Sequence, residues 1–114
     1  MHYDIECYYN DLEVEIDEDC LEWKYFMSFE NDIGLGLEPY RTEWTIWDKD
    51  LKMAGSIDMI FRNPDGTILI YDWKRCKNIK RDNKYQSSIT PCIGHLPDTN
   101  YWHYALQLNT YKYI

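Results

Sequence analysis

Asp58, Asp72 and Lys74 are the residues of this chain whose types and spacing can do chemistry. Asp72 and Lys74 sit in Ile70-Tyr71-Asp72-Trp73-Lys74, and Asp58 closes Gly55-Ser56-Ile57-Asp58. The turn-rich segment Arg62-Asn63-Pro64-Asp65-Gly66 joins two runs of strand-forming residues and predicts a β-hairpin with one acid on each strand. Alternate residues of a strand share a face, so Asp72 and Lys74 are expected to point the same way, about 7 Å apart, with Asp58 joining them from the neighbouring strand. Two carboxylates and an ammonium side by side suit a divalent metal and a phosphate. Phosphodiester cleavage needs an in-line nucleophile and relief of negative charge, and Mg²⁺ (or Mn²⁺) on a few carboxylate oxygens supplies both. Asp58 and Asp72 are the expected metal ligands, with the backbone carbonyl of Trp73 completing the shell. Lys74 would orient or help deprotonate the water and stabilise the developing charge.

The elements that must position these residues can be read along the chain. Residues 2–9 predict a helix with Ile5, Tyr8 and Tyr9 on one side, followed by an acidic connection from Asp11 to Asp19. Asp19 with Glu22 resembles a capping box opening a second helix that runs to about Asn31, with Leu21, Tyr25, Phe26 and Phe29 as its apolar stripe and Gly34 and Gly36 beyond its end. Three strands are expected, about 40–47, 52–62 and 67–75, in an antiparallel meander, with Asp48-Lys49-Asp50-Leu51 as the first turn. Residues 76–98 predict a long polar loop. A last helix begins near Asp98–Asn100 and brings Ala105, Leu108 and Tyr111 to the core. Trp73 is expected to bury its ring on the sheet face opposite Asp72 and Lys74.

Length and composition bound the rest. The 114 residues suffice for one small domain (1–114), and 45% hydrophobic with 17% aromatic residues is enough to bury a core, so a disordered chain is excluded. No apolar run approaches the length of a membrane span, and no signal peptide is visible, so an intracellular chain without a membrane partner is expected. Cys7, Cys20, Cys76 and Cys92 have neither zinc-knuckle spacing nor a secretory context and are expected as reduced thiols in or near the core. The net charge of −8 argues against a nucleic-acid partner until its distribution is seen. Nine of the twenty acids fall between Asp4 and Glu22, and six of the twelve bases (Lys74, Arg75, Lys77, Lys80, Arg81 and Lys84) directly follow Asp72. A charge run is usually a solvated loop. Its place beside the candidate site points to phosphates.

At these residues the chain resembles the PD-(D/E)XK nuclease superfamily, most closely its RecB-type exonuclease branch. Four segments match in order. His2-Tyr3-Asp4-Ile5-Glu6 is similar to the helical motif in which a His supplies a metal ligand and a Glu follows four residues later. Gly55-Ser56-Ile57-Asp58 is similar to the Gly-x-x-Asp strand motif, and Asp72-Trp73-Lys74 to the Asp-Tyr-Lys form of the signature triplet. Gln107-Leu108-Asn109-Thr110-Tyr111 is similar to the Gln-x-x-x-Tyr helix motif, whose two side chains share a helix face and assist DNA binding in that branch. Tyr40-Arg41-Thr42-Glu43-Trp44 also looks like relatives encoded by large DNA viruses.

The resemblance implies an α/β, restriction-endonuclease-like αβββαβ core with a central mixed sheet flanked by helices. The closing strand is missing, so a partial copy is expected. It implies a Mg²⁺-dependent deoxyribonuclease, exo- or endonucleolytic, with His2 as a further metal ligand and Gln107, Tyr111, Arg75, Lys77, Lys80, Arg81 and Lys84 holding DNA. A helicase or other replication or repair partner would fit. Some relatives carry an iron–sulfur cluster, and the cysteine spacing here does not match it, so no cluster is expected.

Other readings stand beside this one. The same fold could bind nucleic acid or a protein without turnover, the same chemistry could cut RNA, or the acidic N-terminal half could serve a purely structural contact. Taken singly, Asp58 reads as a hairpin-edge residue, Asp72–Lys74 as a surface pair, and Gln107 and Tyr111 as ordinary helix positions. Glu43 is either a second carboxylate near the metal or an ion-pair partner for Arg41 or a base on the next strand, the structural role being favoured. His95 and His103 read as surface residues.

Overall fold

The computed structural model describes residues 1–114 and is mixed α/β, with three helices and a three-stranded antiparallel sheet. Two compact units divide it, Met1–Trp73 and Lys74–Ile114.

In the first unit, helix α1 (His2–Tyr9) and helix α2 (Leu21–Asp32) accompany strands β1 (Glu38–Asp48), β2 (Met53–Arg62) and β3 (Ile68–Tyr71), in the order β1-β2-β3. Alternation in β2 turns Ile57, Met59 and Phe61 into the core with Ile5, Cys7 and Phe26, and each is at most 4% exposed. Aromatic rings fill the space around them. Phe61 meets Tyr9, Phe29 and Tyr71 edge-on or tilted at 5.2–6.1 Å between centroids, which are favourable ring geometries. The tyrosines and tryptophans of this half are therefore largely packing residues. Arg62 donates two hydrogen bonds to Glu38, at 3.0 and 2.6 Å, tying the start of β1 to the end of β2 and lowering the Glu38 carboxyl below its ordinary range.

The β2–β3 connection is a hairpin, closed by hydrogen bonds from Asn63 N–H to Thr67 O and from Gly66 N–H to Asn63 O, both 2.9 Å. Gly66 takes φ +87°, the left-handed conformation that makes glycine the natural residue there.

Several expectations are corrected. β3 ends at Tyr71, so Asp72, Trp73 and Lys74 lie beyond the ladder and cannot be placed on one face by strand alternation. The three strands pair as the expected antiparallel meander, and every pairing is antiparallel. The N-cap of α2 is Cys20, not Asp19. Its thiol donates to Glu22 at 2.9 Å and Asp19 pairs with Lys24, so no capping box forms. The stripe of α2 is rotated. Phe26 and Glu30 are buried, whereas Leu21 and Tyr25 are more than half exposed. Glu30 is kept inside by the Tyr9 hydroxyl, which donates to it at 2.6 Å and whose own ionisation is pushed far up by burial and by that bond. Its carboxylate fills the space where Gly34 would carry a Cβ, which is why glycine follows the helix. All four cysteines are free. Cys7 is buried and Cys20 half-buried, but Cys76 and Cys92 are exposed, not near a core.

The second unit is the loop from Lys74, a short 3-10 turn at Pro91–Ile93, one bridge between Ser87 and Pro97, and helix α3 (Asn100–Tyr113). None of the residues of α3 is fully buried. Ala105, Leu108 and Tyr111 are half-buried.

Candidate active site

Helix α1 and the sheet bring the N-terminus of the first unit onto the acids. His2, in the first turn of α1, places Nε2 3.2 Å from Asp58 Oδ2 and 2.9 Å from the backbone carbonyl of Trp73. Both neighbours are acceptors, so the hydrogen lies on Nε2. The Trp73 N–H donates to the same Asp58 oxygen at 2.8 Å. One carboxylate oxygen, one carbonyl and one imidazole thus meet, drawn from positions 2, 58 and 73. The Trp73 peptide is held there by its ring, which packs against Phe26 and Phe29 of α2 at 5.8 and 5.3 Å.

Register places the other acids. Met59 pairs with Tyr71, the last residue of β3, and Asp72 follows it just past the end of the ladder. In the other direction, Thr42 pairs with Met59 and Trp44 with Ile57, which sets Glu43 opposite Asp58. Directly opposed residues share a sheet face. Glu43 and Asp58 therefore share a sheet face, whereas Asp72 lies past the end of the ladder. Asp72 is half-buried, and Asp58 retains 14% exposure of its side chain.

Glu43 is exposed on β1, opposite Asp58. It does not pair with Arg41, whose guanidinium lies over the Trp44 ring at 5.0 Å. Its polar partner is the Ser56 hydroxyl, which donates at 3.4 Å. Desolvation, and then the negative charges of Asp58 and Glu6, push its carboxyl above the ordinary 4.5, with Ser56 and His2 partly offsetting them. Its backbone is in the left-handed region, φ +42°, inside a strand, where a non-glycine residue costs about 1–3 kcal/mol. The detectable signal was Glu6, four residues after His2 on α1, which marks this face as acidic from both elements.

This crowding has a measurable consequence. A raised carboxyl favours the protonated form in the fold. Its contribution is fully present below about 4.5 and is lost as pH rises through the folded value. Glu43→Gln should therefore raise the melting temperature at pH 7, and the gain should vanish as the pH falls below that range. Thermal melts of both proteins at the two pH values check it.

The donor set is oxygen-rich with one imidazole, which suits a hard divalent cation, and the neighbouring Glu43 carboxylate adds negative charge beside it. No three His, Cys, Asp or Glu side chains close on a common metal-binding point, so the meeting point at Asp58 has two side-chain donors and the Trp73 carbonyl.

In the second unit, Lys74 lies over the Tyr104 ring at 5.2 Å. Gln107 Nε2 donates to the Tyr111 hydroxyl at 2.9 Å, so the spacing of four puts them on one helix face as expected. Arg75, Lys77, Lys80, Arg81 and Lys84 lie in the loop that precedes α3. His103 is exposed and pairs with Asp98 at 2.8 Å, and His95 is exposed in the loop.

Compared with known proteins, the chain matches no family model, no curated protein and no solved structure.

Proposed function

We propose that this chain is a metal-dependent nuclease that hydrolyses DNA phosphodiester bonds, built on a restriction-endonuclease-like fold. The observation that carries the reading is the meeting of Asp58, the Trp73 carbonyl and His2. Those groups come from three separate motifs, and chance motif matches have no reason to meet in space.

Asp58, Asp72, the Trp73 carbonyl and His2 would hold Mg²⁺ or Mn²⁺. The cation, when bound, supplies Lewis acidity and a more acidic water. The rest is the work of the chain. Asp58 is oriented by the Trp73 N–H, which fixes one oxygen and leaves the other available. His2 would offer Nε2 to the cation as the neutral tautomer that carries its hydrogen on Nδ1. Lys74, the third residue of the triplet, orients the water and neutralises charge growing on the phosphate. Gln107, Tyr111 and the basic loop hold the nucleic acid.

The binding half is tested without catalysis. Mg²⁺ or Mn²⁺ at a hundredfold excess over its dissociation constant should stabilise the wild-type chain by about 2.7 kcal/mol. Asp58→Ala should abolish that shift in a thermal melt. A wild-type chain that melts identically with and without either metal would sink the proposal.

A further inference from the structure

The two units carry opposite charge. Met1–Trp73 holds eighteen acids and five bases, a net −13, whereas Lys74–Ile114 holds seven bases and two acids, a net +5. A polyanion is therefore attracted to the second unit and repelled by the first. Of the two acids in the positive unit, Asp98 is already engaged with His103, which leaves Asp82 beside the bases.

The bases are presented on a backbone held in place rather than on a loose loop. Asn100, at the start of α3, accepts from Lys80 N–H at 2.9 Å and donates to Asn78 O at 3.0 Å. The Trp102 indole N–H donates to Arg81 O at 3.1 Å, and Asn83 donates to Asp98 O at 3.0 Å. The Arg81 guanidinium lies over the rings of Tyr101 and Trp102, at 5.1 and 5.8 Å, so its partners are rings and backbone. Beside it opens a cleft of about 580 Å³ whose lining includes Lys80, Lys84 and Tyr85 and both acids of the unit, Asp82 and Asp98, so phosphates are expected on its basic rim. Tyr85 is 94% exposed, directly after Lys84. An exposed aromatic face next to cations carried on a tethered backbone gains little from a duplex, whose base faces are stacked on one another. A single strand offers both a phosphate and an open base face. Ordering these groups in advance reduces what binding must spend on immobilising them.

We infer that the Lys74–Ile114 unit binds single-stranded nucleic acid, with Lys80, Arg81 and Lys84 on the phosphates and Tyr85 stacked on a base. This deepens the nuclease reading, on which it rests for the fate of the bound strand, by naming the form of the substrate.

The test is fluorescence anisotropy of the full chain in EDTA, so that no cleavage intervenes. Labelled oligo-dU, oligo-U and a duplex are compared, each about 20 units long to exceed the roughly 4–16 nucleotides that a single-strand site covers. A single strand should bind at least about tenfold more tightly than the duplex, the scale of one stacked base. The tighter of the two single strands identifies the sugar. Tyr85→Ala should weaken binding about tenfold with an unchanged salt slope. Lys84→Ala should reduce the slope of log affinity against log salt by about 0.7. Arg81→Lys keeps the charge but loses the planar stack, and should weaken the single strand more than the duplex. Equal or tighter duplex binding, or Tyr85→Ala binding like wild type, overturns the inference, even if the chain cuts DNA. Single-strand binding in a chain that never cuts supports the inference and counts against the nuclease reading alone.

Discussion

Asp72→Ala is expected to remove metal-dependent DNA cleavage, by about 10³-fold or more, while the protein stays folded. The scale follows from the part assigned to the residue. Loss of a single positioned electrostatic group in an active site costs about 10²–10³ in rate, and loss of a ligand removes the charge that the others act through. Folding should survive because Asp72 lies one step past the last paired residue of β3 and is only half-buried, while the core at Met59, Ile60 and Phe61 is untouched. The check pairs a cleavage time course with a thermal melt in Mg²⁺ and in EDTA. The variant should melt the same way in both. Full-rate cutting by Asp72→Ala would remove the residue from the mechanism. Equal DNA binding by the wild-type chain and the Asp72→Ala variant, with no cutting by either, would define the binding module of the same fold.

Lys74→Ala separates catalysis from metal binding. The ammonium is assigned to the water and the phosphate, not to the cation, so its loss should cut the rate by about 10²-fold or more while the metal-induced melting shift stays within error of wild type. The pairing of results is the discriminating feature. Loss of both properties would mean that the side chain supports the site structurally, for instance through its packing over the Tyr104 ring. Loss of neither would mean that the triplet is a surface feature. Lys74→Arg adds a third arm. It keeps the charge but cannot act as a base near neutral pH, so partial rescue would assign the lysine to charge stabilisation.

Much of the arrangement is legible in the sequence, for physical reasons. Helix α1 at 2–9 and the hairpin at Asn63–Gly66 follow from local periodicity and turn chemistry, and both form where expected. The contact of His2 with Asp58 and Trp73 is long-range, and only the resemblance makes it foreseeable. The end of β3 at Tyr71 is not legible. Propensity favours extension through Trp73, but the Trp73 N–H leaves the ladder for Asp58 Oδ2. The α2 stripe misleads because Tyr25 and Leu21 look like core residues, while the buried Glu30 looks like surface and becomes tolerable only through the Tyr9 hydroxyl. The closeness of Glu43 to Asp58 is not legible, because it depends on register, which an alternating pattern cannot reveal across strands. The left-handed backbone of Glu43 also has no marker in the residue type. The division at Trp73–Lys74 is foreshadowed by the swing in charge, which in the sequence looks like one basic loop rather than a unit of opposite sign.

The most direct test of the central claim is cleavage of end-labelled linear DNA, single- and double-stranded, by the wild-type chain in Mg²⁺, Mn²⁺ or EDTA. The account predicts cutting that depends on the metal, stops in EDTA and favours the single strand. A folded chain that takes up the metal and leaves both substrates intact would contradict it.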